Sequence, residues 1–261
     1  MTMSLILSLA GVAFLAGFFD AIAGGGGLIT LPALFLAGVP PLSAIATNKL
    51  QAASASVSAT VAFARKGMIE WRTGRFLVLT AMVGGASGAL LVSFVDKTML
   101  TMIVPVLLLL VATYFVLAPK LTNEDGKQKI SILLFSFIVA PALGFYDGVF
   151  GPGTGSFFMV AFVFLAGLGM IRAMSFTKLA NASCNIGALM IFISKGMILW
   201  PLALAMAVAS SLGAQLGARC AVRVGARLIK PMLVIMCCAM AAKLLMVEDN
   251  PLRLAVLNFI G

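Results

Sequence analysis

The chain reads as an all-α polytopic membrane protein built from two inverted repeats, each with about four full transmembrane helices plus one short broken or half-helix. Three observations predict this. Of 261 residues 62% are hydrophobic and 10% charged, histidine is absent, and the mean hydropathy is +1.15, a composition far from that of soluble globular domains. Apolar segments recur at roughly 3–22, 28–39, 43–64, 76–95, 98–118, 130–149, 156–168, 173–194, 201–221 and 229–247; eight of them reach the ~20 residues a helix needs to cross hydrocarbon. The third observation is a duplication: Gly17-Phe18-Phe19-Asp20 with Gly24 to Gly27 returns as Gly144-Phe145-Tyr146-Asp147 with Gly151-Pro152-Gly153-Thr154-Gly155.

The two short segments, 28–39 and 156–168, directly follow the two glycine clusters. Each therefore reads as half of a helix broken inside the membrane, as in transporters whose sites lie between repeats. The first segment, Met3 to Ile22, lacks a preceding basic residue and a cleavage site ahead of a soluble domain, so it reads as a retained membrane helix. The polar stretch 119–129 separates a first repeat, 1–118, from a second, 130–261. Later motifs correspond at a constant offset of 129: Asn48-Lys49-Leu50 with Thr177-Lys178-Leu179, Lys66-Gly67-Met68-Ile69-x-Trp71 with Lys195-Gly196-Met197-Ile198-x-Trp200, and Gly84/Gly88 with Gly213/Gly217. Between the aspartates the offset is 127.

Charge sets the orientation. If all ten segments cross, twelve Lys and Arg residues share one side, in the loops around 65–75, 120–129, 172 and 219–230, against Lys97, Lys195, Lys243 and Arg253 on the other. That bias puts the basic loops in the cytoplasm and both termini outside. The net charge of +10 is thus a topogenic signal, and no nucleic-acid partner is expected. The four cysteines lack zinc-type spacing, and no metal site or cofactor is expected.

Four formal charges fall deep in apolar sequence: Asp20, Lys49, Asp147 and Lys178. Each costs ~2.5–3.5 kcal/mol at the bilayer centre on insertion scales, so such groups pair or line a wet cavity. The lysines are the candidate charges for a small anion, and the aspartates are candidate coupling or structural carboxylates, with proton coupling as the coupling considered. Glycine permits turns that expose amide N–H groups to an oxyanion, which nominates Gly24, Gly25, Gly26, Gly27, Gly151, Gly153 and Gly155 with Thr154. Polar neighbours of the lysines complete the candidate binding set: Thr47, Asn48 and Gln51 in the first repeat, and Thr177, Asn181 and Asn185 in the second. Gly84-x-x-x-Gly88 and Gly213-x-x-x-Gly217 read as helix-packing motifs, and Trp71 and Trp200 as interfacial anchors.

On these residues the chain resembles the TauE/SafE family of membrane proteins, the sulfite exporter or sulfonate permease family, and its YfcA-like branch most closely. Gly17 to Leu28, Pro32-Ala33-Leu34, Thr47-Asn48-Lys49-Leu50-Gln51 and the second copy through Lys178-Leu179-x-Asn181 carry the resemblance. It implies a carrier of the bacterial cytoplasmic (inner) membrane for sulfite, sulfoacetate or related sulfur-containing anions. The expectation is a secondary transporter of a small anion, working by alternating access among membrane lipid. A channel-like or carboxylate-selective organic-anion permease of the same architecture is the alternative. An intramembrane enzyme is disfavoured, because no histidine, metal-ligand set or Ser/Lys signature supplies chemistry.

Overall fold

A computed structural model describes residues 2–96, 99, 100, 106, 110, 113 and 124–224. The predicted segments 98–118 and 229–247, linker residues 119–123, Arg227, Cys237 and Cys238 lie largely or wholly outside them. Eight helices order the described residues: α1 (Met3–Ala23), α2 (Gly27–Leu36), α3 (Pro41–Arg65), α4 (Trp71–Val92), α5 (Ile132–Val149), α6 (Thr154–Phe164), α7 (Met170–Ser194) and α8 (Trp200–Val224). Among the described residues there is no strand.

Among the described residues, five helices are long and apolar enough to cross a membrane: α1, α4, α5, α7 and α8. Helix α3 has the length, but its run from Ala44 to Lys49 is entirely buried, so its polar side chains face protein. The short helices are α2 and α6, as the sequence predicts, beginning at Gly27 and Thr154. Helix α4 starts at Trp71, earlier than the predicted 76, with the Gly74 N–H closing its first turn onto the Glu70 carbonyl at 3.0 Å.

Local chemistry sets the breaks. Helix α1 stops where Gly24 turns left-handed (φ +79°) and its N–H closes onto the Asp20 carbonyl, a conformation glycine adopts without a Cβ penalty. Pro41 starts α3 at a position that needs no N–H. Ser131 caps α5, its hydroxyl accepting from the Leu134 N–H at 3.2 Å.

Packing joins the halves crosswise. A Cβ at Gly84 or Gly88 would run into the carbonyl oxygens of Pro141 or Phe145, so α4 and α5 touch backbone to backbone. At the equivalent positions, Gly213 and Gly217 of α8 meet the carbonyls of Phe14 and Phe18 of α1. Residue numbers rise together along both contacts. They also rise together between α3 and α8 (Gln51 with Ser210, Ser58 with Gln215) and between α4 and α7 (Gly74 with Leu179, Met82 with Gly187). Thus α1, α3 and α8 run parallel as one bundle, and α4, α5 and α7 run parallel as another.

The end of the linker is strapped to the α6–α7 turn. Gly126 N–H donates to the Gly167 carbonyl and Lys129 N–H to that of Leu165, both at 2.9 Å. Asp125 Oδ1 accepts the Gly169 N–H at 2.6 Å and Oδ2 accepts Arg172 Nη1 at 2.7 Å. The Gly169 N–H, and then the Arg172 guanidinium, hold the Asp125 carboxyl below the usual carboxylate range. A depressed folded-state pKa contributes stability that is full above the unfolded value, about 3.9, and is lost as pH falls through the folded value. Asp125→Asn is therefore expected to speed amide exchange across residues 124–130 at pH 7. The difference from wild type should begin to shrink below about pH 4 and vanish only once the pH has fallen through the depressed folded-state value, as hydrogen–deuterium exchange would report.

Candidate functional site

The two glycine breaks meet. Gly24 of the first turn packs directly against Gly155 of the second, leaving no room for a Cβ at either, and its carbonyl accepts the Ser156 N–H at 3.1 Å. Among the described residues, the four charges deep in the apolar sequence gather about this contact as two ion pairs. Lys49 Nζ on α3 donates to Asp147 Oδ2 on α5 at 2.8 Å, and Lys178 Nζ on α7 donates to Asp20 Oδ2 on α1 at 2.9 Å. Each lysine also donates to its aspartate's backbone carbonyl. Both lysines are at most 1% exposed.

Each lysine thus pairs with the carboxylate of the opposite half, and each pair bridges the two bundles. Burying two ions costs several kcal/mol each unless further hydrogen bonds satisfy them. Here the helix ends supply these bonds: the last turns of α1 and α5 offer their carbonyls to the ammonium groups, and Gly26 N–H donates to Asp20 Oδ1 at 3.1 Å. The Asp20 carboxylate therefore accepts from both an ammonium group and a glycine-turn amide, the two donor types that the sequence suggests for an oxyanion. At the other pair, Gly151 (φ +98°) lies so close that a Cβ would stand 2.7 Å from Lys49 Nζ.

The candidate polar residues divide. Asn48 lies beside Gly27, and its Oδ1 accepts from Thr30 of α2. Gln51 Oε1 accepts from the same hydroxyl at 3.3 Å. Thr30, which the sequence reading passed over, thus ties the first short helix to α3; a lone hydroxyl in an apolar segment was its only signal. Thr47 is engaged elsewhere, accepting the Leu199 N–H at 3.2 Å where α8 begins. Thr154 donates to the Gly151 carbonyl at 2.7 Å, and Tyr146 Oη to that of Pro152 at 2.7 Å, so both brace the second turn. Gly25 accepts the Leu28 N–H at the opening of α2, and Gly153 turns left-handed (φ +82°) before α6.

On α7, Asn185 Nδ2 donates to the carbonyl and to Oδ1 of Asn181, at 2.7 and 3.0 Å. Cys184, one of the four cysteines without zinc-type spacing, lies close to both Asp147 and Lys49. Helix α7 therefore passes both ion pairs. Two fully enclosed polar atoms on it, Thr177 Oγ1 and Asn185 Oδ1, have no hydrogen-bond partner among the described residues.

Apolar membrane-length helices, two helix breaks and buried charges at their meeting point define a polytopic membrane protein. Comparison with known proteins gives the family. Residues 9–244 match the family described as "Sulfite exporter TauE/SafE". The chain is 46% identical over 234 residues to the probable membrane transporter protein YfcA of Escherichia coli (strain K12), covering 90% of this chain and 87% of that one. It is 44% identical over 242 residues, 93% of each chain, to the probable membrane transporter protein ORF9 of Sinorhizobium sp.. A more distant relative is the probable membrane transporter protein YdhB of Bacillus subtilis (strain 168), 24% identical over 201 residues, 76% of this chain and 80% of that one. No solved structure matches. The chain belongs to the TauE/SafE family: it is a multi-pass bacterial membrane transporter, embedded in the inner membrane and acting on a small molecule.

Proposed function

We propose that the transported molecule is a small anion, sulfite or an organosulfonate such as sulfoacetate, moved by alternating access. Lys49 and Lys178 are the substrate charges and the glycine turns the amide donors. The observation that carries this reading is the Asp20 carboxylate, which accepts both a buried ammonium and the Gly26 N–H. A site that already holds an oxyanion of its own chain in this way suits an oxyanion substrate competing for the same donors. Lysine offers a compact point charge with three donors, so exchanging one acceptor for another at Nζ demands little rearrangement.

The placement of the pairs supports alternating access. Both ion pairs span the two parallel bundles, α1–α3–α8 and α4–α5–α7, so drawing a lysine from its aspartate loosens the contact between the bodies that would rock. The family name and the buried cations support an anion. The carboxylate ligands equally suit a carboxylate-selective permease, which is the second reading. Asp20 or Asp147, once released from its lysine, takes up a proton in the coupled form of the mechanism.

The architecture we infer is two inverted repeats, 1–118 and 130–261, joined by the linker 119–129. Helix α3 passes to α4 through residues 66–70 alone. Five residues span at most ~18 Å, too little to lead back along a 25-residue helix of ~37 Å, so α4 opposes α3. Then α1 and α5, which carry the duplicated motif, point in opposite directions. The cation of Lys195 over the Phe94 ring, 4.8 Å from its centroid, sets the ends of α7 and α4 side by side, in keeping with this arrangement.

The test is flux in proteoliposomes loaded with labelled sulfite, sulfoacetate or a matched dicarboxylate, with and without an imposed pH gradient. Sulfur anions should cross unchanged and compete with one another. Preference for the dicarboxylate would establish the second reading, and passive, unsaturable flux would point to a channel.

A further inference from the structure

We infer that α7 is the helix that reads the substrate, and that the substrate is a small oxyanion bearing a hydrogen-bond donor of its own, a hydroxyl or an acid proton. This rests on the anion reading above and narrows it. The two halves are equivalent at their lysines and aspartates but not around them. At the offset of 129, Asn48 of α3 corresponds to Thr177 of α7, Ala52 to Asn181, Ala55 to Cys184 and Ser56 to Asn185. The α3 members are satisfied within the protein: Asn48 Oδ1 accepts from Thr30, and Ser56 Oγ donates to the Ala52 carbonyl at 2.7 Å. Their α7 counterparts carry the two orphan atoms, Thr177 Oγ1 and Asn185 Oδ1, on residues 0% and 2% exposed.

A buried polar atom without a partner loses ~1–3 kcal/mol, so two such atoms on one helix, absent from its counterpart, mark the half of the site that awaits a ligand. Their chemistry selects that ligand. Thr177 is next in the chain to Lys178. Asn185 is tied through Asn181 to the neighbourhood of Cys184, which lies by Lys49 and Asp147. The ammonium groups attract an anion and repel a metal cation, which would otherwise satisfy bare oxygens. Asn185 Oδ1, an amide oxygen, can only accept, and its Nδ2 has both donors committed to Asn181. A fully deprotonated oxyanion offers nothing to that oxygen, whereas an oxyanion with a hydroxyl or acid proton does.

The measurement is binding of 2-hydroxyethanesulfonate and of ethanesulfonate, equal in charge and differing by one hydroxyl, to the purified full-length chain by calorimetric titration. Wild type is expected to prefer the hydroxylated anion about fivefold or more, since leaving the acceptor unmet costs at least that ratio. Asn185→Ala should bring the ratio near one. Ser56→Ala, the change at the equivalent α3 position, should keep the wild-type preference. Equal affinities in wild type, or a preference that survives Asn185→Ala, overturn the inference and assign the orphan oxygen to bound water, leaving the anion reading intact. Because the decisive ratio is a wild-type measurement, it stands even if a variant fails to fold. If neither sulfonate nor sulfite nor the matched dicarboxylate binds wild type, the anion reading fails and this inference with it.

Discussion

Lys49→Ala and Lys178→Ala are each expected to abolish anion flux and to lower the melting temperature, whereas Lys49→Ala combined with Asp147→Asn recovers most of the stability and none of the flux. The single change leaves a carboxylate only 2% exposed without its cation, and breaking a buried pair in this way typically costs about 3–5 kcal/mol. Neutralising the orphaned partner removes that penalty, but it does not restore a charge able to hold an anion. Lys49→Arg should also fail. Gly151 lies against Nζ, and a planar guanidinium needs a wider space and different directions than an ammonium. Paired melts in detergent and proteoliposome flux, run on wild type, both singles and the double, decide the matter. Near-normal flux in the stable double variant would leave the lysines as structural partners of the aspartates alone.

The ion pairs also show where sequence reading succeeds and stops. That Asp20 answers Asp147 and Lys49 answers Lys178 is legible, because both offsets sit in motifs that survive duplication. Which lysine meets which aspartate is not, because equivalence between repeats says nothing of contact between them. Proximity along the chain would suggest Asp20 with Lys49, but the lysines reach across to the opposite half. The broken helices were legible as short apolar segments after glycine clusters, and their bounds moved by only a few residues. Thr47 illustrates the limit. One position from Asn48 on a helix is a turn of roughly 100°, enough to send its hydroxyl to the start of α8 while Asn48 bonds to Thr30. Cys184 illustrates another limit: a small thiol reads as filler until α7 carries it to Asp147.

The two turns differ in their bracing. The second is held by Pro152, by the Tyr146 hydroxyl, and by the edge contact of the Tyr146 ring with that of Phe157, 5.4 Å apart between centroids. The first relies on Thr30 and the Asp20 carboxylate. Pulling Asp20 from Lys178 therefore disturbs its own turn through the Gly26 N–H. No such bond from a turn amide to the Asp147 carboxylate is seen among the described residues. Of the two aspartates, Asp20 is thus the one whose protonation would be felt in the backbone of the helix break, which favours it for coupling.

Gly88→Ala and Gly217→Ala are expected to destabilise the fold strongly and by similar amounts, while Gly11→Ala is neutral or stabilising. The first two residues stand at equivalent crossings, α4 on α5 and α8 on α1, where an added methyl meets the carbonyl oxygens of Phe145 and Phe18. Backbone oxygens cannot turn aside as side chains do, so the helices must separate. Forcing extra volume into such packing costs about 1–3 kcal/mol per site, and it also loses the van der Waals contacts that drive helix association in lipid. Gly11 lies in the interior of α1 with nothing within 4 Å of an added Cβ, so the gain of about 0.5–1 kcal/mol in helix preference goes uncontested. Thermal melts of the three purified variants test this directly, and a wild-type melt for Gly88→Ala would show that the α4–α5 crossing is not close-packed. The crossings carry weight for transport as well as for stability. Each joins helices from different halves, so the bodies that would move in the alternating access proposed above are the mixed bundles α1–α3–α8 and α4–α5–α7 rather than the repeats themselves. A variant that loosens a crossing should therefore lose flux in step with its loss of stability, unlike the lysine double variant, whose flux is lost with the fold intact.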